Sequence, residues 1–377
     1  MKTKLINYII GFILVIYYCI SVQNTYNQVI FYKNGWYLGE WLISYQDGGF
    51  KRRGLFGSFF IFLNEITGVQ LEWAVFTFVT LIYTLFFFLL IKLFVQKKNT
   101  LLTISLLLLP AGLGMILKDP TIAAKKEILI FLLYLIYFSF LDAKKRVPHF
   151  WVTFSIILAI LNHEVAFFFI PFVGFTYFMK DKAPPPVKIK NILLYHIAPS
   201  VVTMMILYRF GYSITTPNSI NFLKEHGLNL VLRGIYGYDP HYNVLNFYKA
   251  HLYGYLTYLI SLFFAALTFF IYCKFNNVII NKKFLIIQVI FLLPLFYIAY
   301  DWGRWINIFF TLLTIFIAGE QQLNSSLKED IIAIILILFN SLWTMLLFTQ
   351  GFMTYPPVDA LIKKIYYFIY FKIHNLL

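Results

Sequence analysis

Helix-length apolar runs recur from one end of this chain to the other and leave no room for a soluble core. Crossing a bilayer takes roughly 20 apolar residues. Runs of that order fall at 5–23, 72–95, 100–117, 127–142, 149–162, 165–179, 190–210, 251–273, 284–300, 305–319 and 331–350. A soluble domain of 377 residues, 60% of them hydrophobic, could not hide that much apolar surface. The runs also lack the two-residue alternation of barrel strands. The expected fold is all-α: a polytopic membrane protein of about eleven transmembrane helices, forming one integral membrane domain over 1–377. The first run ends in bulky residues without a small-residue cleavage site, so it reads as a retained span. The stretch 360–377, interrupted by Lys363, Lys364 and Lys372, reads as interfacial.

Orientation follows from the basic connections. Under strict alternation Lys2, Lys4, Lys97, Lys98, Lys144, Lys145, Arg146, the segment Lys180 to Lys190, Lys274, Lys282, Lys283 and Lys328 share one side. That side is the expected cytoplasm, with the N-terminus inside. The opposite connections, 24–71, 118–126, 211–250 and 301–305, then face outward. Within 211–250, SINFLKEHGLNLVLRGIYGY has the pattern of an amphipathic helix on the membrane surface.

Those outward connections hold the most concentrated polarity of a chain only 12% charged. Their motifs are QDGGFKRRGLFG, KDPTIAAKKE, NHE and DWGRW. Lys51, Arg52, Arg53, Lys118, Lys125, Lys126 and Arg304 work against the positive-inside bias at these places. Ionisable groups at membrane depth are costly and face a cavity or a partner. Four such motifs on one face point to a single site.

In the first motif Gly48-Gly49 permits a tight turn, Asp47 precedes it, and Lys51, Arg52 and Arg53 follow. Arginine offers phosphate a planar fork of donors and keeps its charge when desolvated. The alternative is a juxtamembrane basic cluster in which Asp47 pairs an arginine. In the second, Asp119-Pro120 reads as a helix start, which puts Lys125, Lys126 and Glu127 in the second turn. A lysine buried there needs an anion, either a bound phosphate or Glu127 or Asp119. In the third, His163 and Glu164 sit at the lip of a span, where an apolar surround raises a carboxylate pKa toward neutrality and suits proton transfer. In the fourth, Asp301 and Arg304 are spaced to pair across one helical turn, flanked by Trp302 and Trp305 of an interfacial aromatic belt that could also stack on sugars. Glu40, Glu65, Glu72 and His196 read as structural or interfacial. Arg209, Arg233, Asp239 and His241 could contact substrate, but their spacing specifies nothing.

Several function classes fall away. The formal charge of +15 is too scattered for a nucleic-acid footprint and suits membrane lipids and anionic lipid-linked substrates. Cys19 and Cys273 form no disulfide framework, and no metal-ligand spacing occurs. There is no Walker loop and no GxGxxG, so an activated nucleotide is not the obvious donor; no cofactor is expected, and metal dependence stays open. A lipid-linked phosphate or pyrophosphate fits an outward cluster of cations and carboxylates better.

The architecture, with the GGFKRRGLFG, KKEI, NHE and DWGRW segments, resembles the Wzy-type O-antigen and capsular polysaccharide polymerases of bacteria. The acid in the first outward loop, Asp47, is also similar to that of GT-C membrane glycosyltransferases, though an obvious double-acid motif is missing. The resemblance implies a bacterial inner-membrane enzyme that polymerises polyprenyl-pyrophosphate-linked oligosaccharides on the periplasmic face, with a chain-length regulator as partner. On that reading Asp47 or Glu164 is the general base, and His163 and Asp301 are further catalytic candidates. Lys51, Arg52, Arg53, Asp119, Lys125, Lys126, Arg304 and Trp302 bind substrate. The rivals are a single-addition GT-C transferase using a polyprenyl-phosphate sugar and a lipid-linked oligosaccharide flippase.

Overall fold

The computed structural model describes residues 2–143, 148–211, 214–216, 218–232, 252–278, 282–298, 301–319, 326–345 and 353–354. Arg233, Asp239, His241 and the stretch 360–377 lie outside them. The described chain is helical. In order come α1 (Lys2–Tyr26), α2 (Gly54–Thr67), α3 (Leu71–Val95), α4 (Leu101–Leu107), α5 (Met115–Lys118) and α6 (Glu127–Asp142). Then follow α7 (His149–Asn162), α8 (Ile170–Lys180), α9 (Pro185–Ile192), α10 (Ala198–Phe210) and α11 (Ser219–Glu225). The last are α12 (Leu252–Phe275), α13 (Lys282–Ile298), α14 (Trp302–Ala318) and α15 (Leu327–Leu342). Four helical stretches are long and apolar enough to cross a membrane: Thr3–Phe31, Leu71–Val95, Pro185–Phe210 and Thr257–Phe275. Three shorter apolar helices are Gly54–Thr67, His149–Asn162 and Trp302–Ala318. This is a membrane-embedded helical bundle.

Local sequence explains several ends. Proline occupies the first turn of α8 and of α9, where its missing N–H costs nothing. At α15 a capping box joins Ser326 and Glu329: the backbone N–H of Ser326 donates to Glu329 Oε2 at 2.8 Å, and that of Glu329 donates to Ser326 Oγ at 3.3 Å.

The expected span at 100–117 is not one helix. It breaks after Leu107 at the sequence LLPAGLG, where Pro110 removes a donor, and resumes briefly in α5. Backbone freed at membrane depth must find partners inside the protein. Here Asn340 Nδ2 donates to the Ser105 carbonyl at 2.9 Å, Tyr17 OH to Leu107 at 2.8 Å and Asn307 Nδ2 to Gly112 at 2.8 Å. Side chains of α1, α14 and α15 thus hold the broken segment in place.

Two other expectations change. The region 24–71, expected as a loop, contains α2. Among the described residues the amphipathic pattern after residue 218 yields only the short α11, which ends at Glu225, and Val231 makes an isolated bridge to Asn34. Val231 exchanges backbone hydrogen bonds with Lys33 and Gly35, both at 3.1 Å.

α3 packs against α1 and α6, α6 against α14 and α7, and α4 against α15. The C-terminal ends of α3, α6, α8 and α14 meet in a clasp. Asp142 accepts Lys97 at 2.7 Å and Lys180 at 3.3 Å, and Lys97 also donates to the Gly319 carbonyl at 2.9 Å. Above this clasp Phe175 stacks on Phe284 with ring centroids 3.5 Å apart, and both pack near Phe172 and Phe316. Charge is thereby confined to the helix ends, and the second charged layer lies at the opposite end of α6 and α14.

Candidate functional site

α6 and α14 begin with Glu127 and with Arg304 in its first turn, and these two make the centre of the second layer. Arg304 Nε donates to Glu127 Oε1 at 2.7 Å, and Arg304 Nη2 also contacts that oxygen. Arg304 Nη1 reaches Asp301 at 3.0 Å, the one-turn pair that the spacing allowed. Arg304 Nη2 lies 3.1 Å from His163 Nε2 and 3.8 Å from Glu40 Oε2. All of these except Asp301 are buried.

The network extends in two directions. Lys125 Nζ bonds Glu40 Oε1 at 3.2 Å and the Trp36 carbonyl at 2.7 Å, and sits 4.5 Å from the Tyr37 ring centroid. On the other side Arg53 grips Glu164 with both arms, Nε to Oε2 at 2.8 Å and Nη2 to Oε1 at 2.6 Å. Arg52 Nη1 stands 3.7 Å from the same carboxylate. Lys126 Nζ donates to the Arg53 carbonyl at 3.0 Å, and Asn162 Nδ2 donates to the Lys126 carbonyl at 3.0 Å. Lys126 has no carboxylate partner among the described residues.

Four sequence-distant motifs therefore meet in one network, but not every residue singled out from the sequence joins it. Asp47 pairs with Lys51, its backbone carbonyl accepts Thr216 Oγ1 at 3.0 Å, and among the described residues it makes no ion pair with Arg52 or Arg53. Asp119 accepts the Thr121 N–H at 3.3 Å and starts only the short turn Pro120–Ile122. Lys125 and Lys126 are consequently not in the second turn of a helix: Ala124 adopts a left-handed φ of 68°, and α6 starts after them. Trp302 donates to the Phe296 carbonyl at 3.0 Å and packs on Tyr255. The sequence reading passed over Glu40 as structural. Its only local signal is a carboxylate inside the aromatic run WYLGEW, a setting that requires a cation.

Electrostatics follow from these pairings. Burial pushes the Glu40 carboxyl up, but Lys125, Arg304 and Arg53 together pull it down to about 2. For Glu164 the raised pKa expected from an apolar lip is reversed. Burial raises it, yet Arg53, His163 and Arg52 outweigh burial and hold it well below the usual carboxylate range. Burial, aided by Arg53 and Arg304, drives His163 well below its ordinary value. Its Nδ1 accepts the Val165 N–H at 3.2 Å, which leaves the ring proton at Nε2, 3.1 Å from Arg304 Nη2 and 3.9 Å from Glu127 Oε1.

Burial lowers the pKa of the network's lysines, Lys125 and Lys126 alike. For Lys126, burial reinforced by Arg53 brings the ammonium down to about 7. The folded protein then binds fewer protons than the unfolded chain between pH 7 and the ordinary lysine value. Stability linked to Lys126 is therefore absent below pH 7 and grows above it. Between pH 7 and 9, wild type should gain about 2 kcal/mol relative to Lys126→Met. Thermal unfolding of both proteins at the two pH values measures that difference, and parallel curves would refute it.

One cavity borders the network, lined by Glu127, Asn307, Thr311, Tyr83 and Gly112, and Glu127 Oε2 has no hydrogen-bond partner. A second lies nearby among α6, α7 and α8 and is almost wholly apolar, lined by Ile130, Tyr134, Ile156, Ala159, Ala166 and Phe169 among others. It starts one helical turn from Glu127 and Asn162, and two residues from Glu164. Among the described residues no group of histidine, cysteine and carboxylate side chains is arranged to hold a metal ion.

No family model, no curated protein and no solved structure matches this chain. The site's own chemistry is what bears on function.

Proposed function

We propose that the chain is a bacterial inner-membrane glycosyltransferase that polymerises polyprenyl-pyrophosphate-linked oligosaccharide units on the periplasmic face. In this reading it has about eleven spans, a cytoplasmic N-terminus and a chain-length regulator as partner. One observation carries the proposal: a network of arginines and carboxylates stands within a helical turn of the lining of an apolar cavity between α6, α7 and α8. A molecule with an anionic head and a hydrocarbon tail satisfies both at once.

Glu164 is the preferred base, because it and its partner Arg53 lie at the accessible rim, whereas Asp47 is paired with the wholly buried Lys51. An acceptor hydroxyl attacks the anomeric carbon of the donor, the carbon–oxygen bond to pyrophosphate breaks, and Glu164 takes the hydroxyl proton. Arg52 and Arg53 stabilise the charge left on the departing pyrophosphate. Arg304, held by Glu127 and Asp301, orients His163 behind this pair.

Cells lacking the chain should accumulate single repeat units, and wild-type protein should restore long surface polysaccharide. Glu164→Gln, present at normal abundance, should restore at least about 100-fold less polymer. Normal polymer in cells lacking the chain overturns the reading, and long chains missing one sugar indicate a single-addition transferase. The broken segment 101–118 favours a second reading, a lipid-linked oligosaccharide transporter, since discontinuous spans build transport sites. Repeat units retained on the cytoplasmic side of the membrane would select it.

A further inference from the structure

We infer that Arg52 and Arg53 form a phosphate-binding site that Glu164 occupies in the absence of ligand, so that an arriving phosphate releases the carboxylate. The inference rests on the proposed function for what the released carboxylate then does, but not for the binding itself.

The geometry of the pair is that of a placeholder. A guanidinium binds carboxylate and phosphate with the same two parallel hydrogen bonds, and Arg53 spends them on the two oxygens of Glu164. This pair also lies at the accessible rim. The side chains of Arg53 and Glu164 are 14% and 17% exposed and that of Arg52 36%, against 6% for both Arg304 and Glu127. An anion reaching the network meets Arg52 and Arg53 first. Arg52 is the less committed of the two: its Nη1 is 3.7 Å from Glu164, and its buried Nε has no hydrogen-bond partner.

The two sides of the pair are anchored differently. Arg53 holds a left-handed φ of 65°, and its carbonyl is tied to Lys126, so its backbone stays when the partner changes. Glu164 is the first residue of the short turn Glu164–Phe169 that joins α7 to α8. A change of rotamer there breaks no helix. His163 Nδ1, 3.6 Å from Glu164 Oε2, is the neighbour that remains.

If Glu164 competes with phosphate, removing its charge must strengthen anion binding, whereas a purely structural carboxylate would weaken it. The test is calorimetric titration of the full chain, purified in detergent, with inorganic pyrophosphate. Glu164→Gln should bind about 10-fold tighter than wild type, the value of one charge-assisted hydrogen bond. Glu164→Asp, which keeps the charge but shortens the reach, should fall between them and serves if the glutamine variant does not fold. Arg53→Gln should bind at least about 10-fold more weakly and Arg52→Ala several-fold more weakly. Equal or weaker binding by both Glu164 variants overturns the inference, as does wild-type affinity in Arg53→Gln or no binding by any of the proteins.

A parallel titration with farnesyl pyrophosphate separates the sources of the phosphate. Tighter binding than inorganic pyrophosphate assigns the site to a lipid-linked anion, and equal binding assigns it to a free one. Neither titration involves a glycan. Failure here with polymer loss in cells would remove the exchange and leave the enzyme, and the reverse result would keep the anion site and discard the polymerase.

Discussion

Arg304→Ala should destabilise the folded protein in detergent by about 3–5 kcal/mol. The reason is the state of the residues left behind. Arg304 is the common partner of Glu127, Asp301 and His163 and stands 3.8 Å from Glu40. Without it, among the described residues, Glu40 keeps only Lys125 and Glu127 only His163 at 3.9 Å, and Glu127 Oε2 already lacks a partner. The same logic supplies the rescue. Glu127→Gln in the Arg304→Ala background removes the orphaned charge and should recover a substantial part of the loss, although Glu127→Gln alone destabilises. Arg304→Lys keeps the charge but not the fork, and should fall between wild type and alanine. Thermal unfolding of the four proteins forms the cycle, and additive effects would show that Arg304 and Glu127 do not act as a pair.

The second large effect should come from Gly57→Ala. Gly57 lies on α2 against the backbone of residues 42 and 43, and an added Cβ would sit 1.9 Å from the Ile43 carbonyl oxygen. Backbone cannot step aside as a flexible side chain can, so α2 must lift away. It would lose the Ser58 Oγ contact with the Tyr45 N–H, now 2.8 Å, and carry Arg53 at its N-terminus out of reach of Glu164. A destabilisation of about 3 kcal/mol is expected, at the upper end of overpacking effects. Phe59→Ala, on the exposed side of the same helix, should cost under about 1 kcal/mol. Equal unfolding temperatures for Gly57→Ala and wild type would mean that α2 does not dock as described.

Some of this was legible from the residues alone. Apolar runs located most of the long helices because the bilayer imposes a length that a sequence can be measured against. The Asp301–Arg304 pair was legible because its spacing is local. The partners of the other charges were not, since Lys125 meets Glu40 across 85 residues and Arg53 meets Glu164 across 111. Composition placed Asp47 beside arginines, whereas Lys51, one helical turn on, reaches it first. Helix α2 was hidden because its glycines and its charged neighbours read as a loop, although the glycines serve close packing. The break after Leu107 was hidden for the opposite reason: LLPAGLG stays apolar, and hydropathy does not register a backbone that neighbouring side chains have taken over.

The helices of this bundle are unequal, and that bears on the bilayer around it. α1 and α3, 25 residues each, are about 37 Å long and lie against each other. α7 has 14 residues, about 21 Å, and α6 is only about 22 Å from Glu127 to Asp142. A hydrocarbon layer near 30 Å is shorter than the first pair and taller than the second. A bilayer matched to α7, whose Phe150, Trp151 and Phe154 are exposed, would thin beside it. Such thinning would fall on the side of the apolar cavity, which α7 helps to line, and would bring lipid headgroups toward the network.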